Sequence, residues 1–315
     1  MGCNNSNLKV VNKTCDTIIN WKSNTSTVKY HWWPMQEKIK INGYLNNLYN
    51  SNSGLSKYDK LFNTKAIEYQ KKKYFFPNNS LHKSAIWSGF CDKAAMLSCL
   101  YQYPINDVKV TYKNKTTLFR KHDIEALMIV SVDNSICNNI SLFFGKKNYN
   151  NKNEEPYPSE LMQILKIISN LKEPFIMDID NTSTIWNFSY DSITINKYNY
   201  CNIKHDVPNE GITEYYNFII KSNAYPKYNL DLWGYINKIN YNNEYNLQKI
   251  KEKWITNIHL NFIWKVYPKN TNWIGKSKIN PEIDTNFVYL LYQTSLKNKI
   301  NNNDPILNLD NFNFG

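Results

Sequence analysis

The sequence predicts an α+β fold with an N-terminal helical segment, a central core and a C-terminal β-rich part. Three observations carry that expectation. Ser159–Leu171 repeats apolar residues at helical spacing (Leu161, Ile164, Leu165, Ile168, Leu171) and runs straight into a short apolar strand, Phe175–Asp180. Beyond Tyr200 the pattern turns alternating and aromatic, as in Asn261–Tyr267 and Phe287–Tyr292, which predicts antiparallel strands. Lys83–Tyr101 gathers Ser84, Ala85, Ser88, Gly89, Ala94, Ala95 and Ser98, the density of small side chains that close backbone packing requires. At 315 residues and 42% hydrophobic content, the chain is long and apolar enough to bury a substantial core.

Taken in order, residues 1–27 are rich in Asn, Ser and Thr and poor in apolar groups, so they read as a loose leader. Residues 28–80 form the helical segment, with helices expected around Gln36–Tyr49 and Ser56–Tyr69. The core, 81–196, continues from the small-residue segment into a strand at Val108–Tyr112, a turn at Lys113–Lys115 and a helix opening at Asp123, a good N-cap for Ile124–Val130. A polar stretch, Lys146–Glu155, precedes the amphipathic helix. After the turn at Asn181–Thr184 the chain is extended from Ile185. The β-rich part is 197–298, and 299–315 reads as an Asn-rich solvated tail.

The formal charge of +12 invites a nucleic-acid reading, but Arg120 is the sole arginine among 38 basic residues. Bidentate recognition of phosphate and guanine favours arginine. With 51 asparagines and abundant Lys, Ile, Tyr and Phe, the basicity follows the residue set of A/T-rich codons, and no nucleic-acid partner is expected. No apolar run reaches the roughly 18–20 residues that cross a bilayer, and the first thirty residues lack a secretory apolar core. Met1-Gly2-Cys3-Asn4-Asn5-Ser6 fits the N-myristoylation pattern, which makes Gly2 and Cys3 candidates for lipidation. Two acyl chains would hold the protein on a membrane surface; an extracellular or cell-surface location is the other expectation. The six cysteines show no CxxC and no metal-ligand spacing with histidine, so no metal site and no cofactor is identified. A Cys3–Cys15 disulfide stays open.

The strongest chemical signal is Ile86-Trp87-Ser88-Gly89-Phe90-Cys91-Asp92-Lys93-Ala94-Ala95. A glycine-containing turn leads into a cysteine that opens an alanine-rich helix. Unpaired N–H groups and the positive end of the helix dipole favour a thiolate there, which is what a cysteine nucleophile needs. The other reading of such a cysteine is a small buried hydrophobe. Cys99, two turns on at i+8, reads as core. Asp178 and Asp180 share one face of an otherwise apolar strand by its period of two.

Four blocks in a fixed order add to this: His31-Trp32-Trp33-Pro34-Met35; Ser56-Lys57-Tyr58-Asp59-Lys60-Leu61-Phe62; Trp87 to Ala95, followed by Pro104 and Val110–Asn114; and Phe175–Asp180 followed by Ile185-Trp186-Asn187. Weaker echoes lie at Asp123–Leu127 and Trp273-Ile274-Gly275. Together these resemble the transglutaminase elicitor family, papain-like cysteine acyltransferases, over about residues 30 to 292.

The resemblance implies a papain-like, transglutaminase-like core that transfers the γ-acyl group of a protein glutamine to a lysine or other amine through a cysteine thioester. Its partners would then be proteins bearing glutamine and lysine side chains, with a calcium requirement left open. It casts Cys91 as nucleophile and Asp178 as the carboxylate that orients an imidazole. Asp180, Trp87, Trp186 and Asn187 become accessory candidates, the two indoles beside the cleft and Asn187 as a second orienting group. The chain departs from the family at the histidine. Where the resemblance places one, near the start of the helix before the aspartate strand, stands Pro156-Tyr157-Pro158-Ser159-Glu160-Leu161. Only His122 lies between Cys91 and Asp178, so it is the candidate base. The alternatives are a catalytically degenerate binding or structural protein on the same scaffold, and a cysteine protease or amidase with water as acceptor.

Overall fold

The structure is a computed structural model that describes residues 15–35, 48–74, 89–133, 137–145, 155–179, 186–199, 211–240, 248–258, 260, 262–268, 276–299 and 301–310. Among these the fold is mixed α+β. The chain opens with β1 (Cys15–Lys22), α1 (Gly54–Phe62), α2 (Ala66–Tyr74) and α3 (Cys91–Leu100). There follow β2 (Val108–Tyr112), β3 (Lys115–Phe119), α4 (Lys121–Ile129), β4 (Cys137–Phe144), α5 (Pro158–Leu171), β5 (Phe175–Asp178) and β6 (Asn187–Tyr190). Strands β7 (Ser192–Tyr198), β8 (Ile212–Lys221), β9 (Leu230–Asn240), β10 (Gln248–Trp254) and β11 (Phe262–Pro268) precede α6 (Thr285–Ser295) and β12 (Ile306–Asn308).

These elements fall into two compact units, one of residues 1–27 and 142–265, the other of 28–141 and 266–315. Both are discontinuous in sequence, so boundaries at 80 and 196 do not describe them. In the first unit the five-stranded antiparallel sheet runs β1-β7-β8-β9-β10, and a second sheet runs β4-β11-β5-β6. The chain passes between units after Thr27, within β4 and within β11. Helix α5 buries Leu161, Leu165 and Ile168 in a core with Phe175, Met177, Ile193, Ile195, Phe218 and Ile220. It can lie close because β9 has a glycine beneath it: a Cβ on Gly234 would sit 2.8 Å from Pro158 Cγ. Burying such a stripe of Leu and Ile stabilises by about 1.5–3 kcal/mol per side chain.

Among the described residues the second unit holds α1, α2, α3, α4, α6 and the three-stranded sheet β12-β2-β3. Helix α4 is buried from Asp123 to Ile129, and α1, α3 and α6 all pack against it. A helix enclosed all round is a core element rather than a surface one. Close approach of α1 requires Gly54, where a Cβ would lie 2.6 Å from the Asp123 carbonyl oxygen.

Several sequence expectations are corrected. Residues 15–22 are not loose leader: Ile19 and its neighbours pair with β7 from Cys15↔Tyr198 to Lys22↔Ser192. The helix expected over Ser56–Tyr69 is two, broken at Asn63 (φ 58°), with the Asp59 carboxylate accepting from the Ala66 and Ile67 N–H groups that open α2. Phe287–Tyr292 is helix. Asp284 accepts from Phe287 N–H, and Phe287, Val288, Leu291 and Tyr292 are buried, a spacing that six residues of sequence do not separate from alternation. The tail is not wholly solvated, because β12 pairs parallel to β2 and Leu309 is buried. The region expected as a helix at Gln36–Tyr49 lies outside the described residues up to 47, as does Trp273–Gly275.

Candidate active site

Cys91 is the first residue of α3, half-buried and not in a disulfide. The body of that helix, Ala94 to Ser98, is buried. Its first internal bond runs from Ala94 N–H to Phe90 C=O at 2.9 Å, so the N–H groups of Cys91, Asp92 and Lys93 have no acceptor within the helix. The helix start is held from outside by the stretch before α1. Phe90 N–H donates to Trp32 C=O at 2.5 Å, and Pro34 bridges Gly89. Gly89 is a packing requirement, since a Cβ there would lie 2.1 Å from Trp32 Cε3. At the other end of α3, Val28 N–H donates to Ser98 C=O. Cys99, read as core, is only partly buried.

The same stretch ties α3 to α4. His31 N–H donates to Glu125 Oε1 at 2.5 Å, and the Tyr103 hydroxyl donates to Oε2 at 2.9 Å. Burial pushes the Glu125 carboxyl up to about 8, and burial also pulls the His31 imidazole down to about 4, with Lys29 and His122 adding to the shift. One turn earlier on α4 stands His122. Burial pulls it below its ordinary value; Asp123 and Asp107 draw it back up, while Lys57 and Arg120 push it down. At neutral pH both imidazoles are therefore uncharged, the state in which a histidine accepts a proton from a thiol. Asp123 is not the N-cap but the third residue of the helix, its Oδ2 accepting from Arg120 N–H at 2.8 Å and from Lys57 Nζ at 2.5 Å. A helix-capping carboxylate reaches back in this way from its first turn.

In the first unit, Asp178 is fully buried at the end of β5 and lies opposite Asn187 on β6. Its Oδ1 accepts the Trp186 N–H at 2.9 Å, and the Asn187 side-chain Oδ1 accepts the Trp264 indole N–H at 2.9 Å. The fold thus brings Asp178, Trp186 and Asn187 together, while Cys91 and His122 belong to the second unit. At the start of α5, Pro158 packs on Gly234, and Ser159 donates through both N–H and hydroxyl to Glu252 at 2.8 Å. That segment does structural work. A cavity of about 620 Å³ lies beside it, lined by Glu155, Tyr157, Glu252, Lys253 and Trp254 among others.

Gly2, Cys3, Trp87 and Asp180 lie outside the described residues. Among the described residues no group of three or more His, Cys, Asp and Glu could hold a metal ion, and no helix is long and apolar enough to cross a membrane. Glu125 is not among the site residues expected from the sequence. Its signal was a carboxylate inside the apolar run Ile124 to Val130 of a helix. Comparison with protein-family models, curated proteins and solved structures finds no match to the chain.

Proposed function

We propose that the protein is a cysteine acyltransferase of the transglutaminase type on a papain-like scaffold, with Cys91 as nucleophile and His122 as base. One observation carries the reading: a half-buried thiol stands at the first position of a helix whose body is buried and whose start is clamped by Trp32 and Pro34. A half-buried cysteine at a helix start favours the thiolate form. In the reaction the imidazole takes the thiol proton, and sulfur attacks the glutamine γ-carboxamide carbon. Backbone N–H groups at the helix start, Cys91's own among them, receive the oxyanion. As the C–N bond breaks, the imidazolium gives its proton to the leaving ammonia, and a thioester remains. An acceptor amine then attacks the thioester and loses a proton to the imidazole, which returns it to the departing thiolate.

The test is incorporation of a labelled primary amine into a glutamine-containing protein, run at several pH values with and without calcium. Wild type is expected to incorporate label and Cys91→Ala to incorporate none, a loss of at least about a thousandfold. Label-free release of ammonia by wild type would mean water is the acceptor and the enzyme an amidase. Absence of both products would leave a binding protein on this scaffold.

A further inference from the structure

We propose that Asp123, the residue beside His122, is the positioning carboxylate that orients the His122 imidazole, a role the family resemblance gives to Asp178. The proposal rests on the reading of His122 as base. Two observations about Asp123 carry it. Its Oδ1 lies 3.6 Å from His122 Nε2, a few tenths of an ångström beyond a hydrogen bond. That same oxygen is buried and accepts no hydrogen bond from any described residue, although the side chain is only 1% exposed and the other oxygen is doubly bonded by Lys57 and Arg120. An orphaned buried carboxylate oxygen costs about 1–3 kcal/mol, and folds rarely retain one without a use.

A small rotation of the imidazole closes the gap. With the proton on Nε2 donated to Asp123 Oδ1, the ring is fixed in one tautomer and Nδ1 presents its lone pair for the thiol proton. When the ring becomes imidazolium, the adjacent carboxylate stabilises the charge. Lys57 on α1 has a second effect: its ammonium holds Asp123 Oδ2 in place, and its charge pushes the imidazole down against the upward pull of Asp123. The other charged or titratable groups acting on the ring are Arg120 ahead of α4, Asp107 ahead of β2, and His31. Asp178, by contrast, spends Oδ1 on the Trp186 N–H.

The test is a ¹⁵N-histidine NMR titration of the full chain, comparing wild type with Asp123→Asn, Asp178→Asn and Lys57→Met. Asparagine keeps an oxygen for the Arg120 N–H, so the helix start is preserved. In wild type His122 is expected as the Nε2–H tautomer. In Asp123→Asn its pKa falls by at least about half a unit and the tautomer preference is lost. In Lys57→Met the pKa rises, an opposite sign that decides the matter should the first variant not fold. An unchanged His122 in Asp123→Asn overturns the proposal, as does a fall in Asp178→Asn or no rise in Lys57→Met. The amine assay is separate: wild type that incorporates no label but titrates as expected loses the acyl-transfer reading and keeps this one.

Discussion

Glu125 is a carboxyl group that folding has moved into the middle of the working pH range, and the direction of its effect on stability follows. Its folded pKa, about 8, lies above its ordinary 4.5, so the folded state holds the proton more tightly. The stabilisation is complete below pH 4.5 and is lost as pH rises to about 8. His31 runs the other way: lowered from 6.5 to about 4, it favours folding above pH 6.5 and loses that contribution as pH falls through 4. The two offset each other at intermediate pH; between 6.5 and 8 only Glu125 of the pair still titrates. Over that interval wild-type stability in urea denaturation should fall by up to about 1.4 kcal/mol per pH unit. Glu125→Gln should flatten the slope, because a neutral amide can still accept from His31 N–H and can donate to Tyr103. An equally steep slope in the variant would assign it to other groups. The place of Cys91 at a helix start was legible in the sequence because a glycine-containing turn precedes it and an alanine-rich segment follows. Asp123 and Glu125 were harder to read, since periodicity reports which face of a helix is apolar and not which carboxylate folds back on its own backbone or takes an N–H from a distant stretch.

At the scale of elements, the start of α3 depends on how closely two backbones approach. Gly89 faces the Trp32 indole at a distance no Cβ tolerates, and the Trp32 carbonyl also holds Phe90 N–H. Gly89→Ala should therefore cost about 1–3 kcal/mol by overpacking and displace the clamp. Urea unfolding gives the first quantity, and the rate of Cys91 alkylation by iodoacetamide reads the second. A variant as stable as wild type with an unchanged alkylation rate would show that the approach is not needed. The small residues around Gly89 announced such a contact in the sequence, though not its partner. Helix α5 was legible almost to the residue because its apolar stripe recurs over about three turns. Helix α6 was not, since its deciding features are an aspartate cap at Asp284 and tertiary packing of Phe287 on Tyr58, Phe62 and Phe119. Strands β1 and β12 were missed for a related reason: both are edge strands set in Asn-rich stretches that resemble solvated chain, and their partners lie far away in sequence.

For the whole molecule, composition implied a large core and the helical and alternating patterns an α+β fold, whereas the division of the chain was out of reach. Each unit closes by pairing segments more than a hundred residues apart, such as β1 with β7 and β12 with β2, and no local pattern records that. The +12 charge is carried almost wholly by lysine, and the residues argued to matter chemically are instead buried carboxylates, neutral imidazoles and one thiol. Trapping the covalent intermediate tests the claim for that thiol most directly. The protein is mixed with a glutamine donor peptide, quenched in acid and digested, and the Cys91 peptide is weighed. The account expects a hydroxylamine-labile adduct on Cys91 equal to the donor less ammonia, absent from Cys91→Ala. No adduct on Cys91 while donor is consumed, or an adduct on another residue, would contradict it.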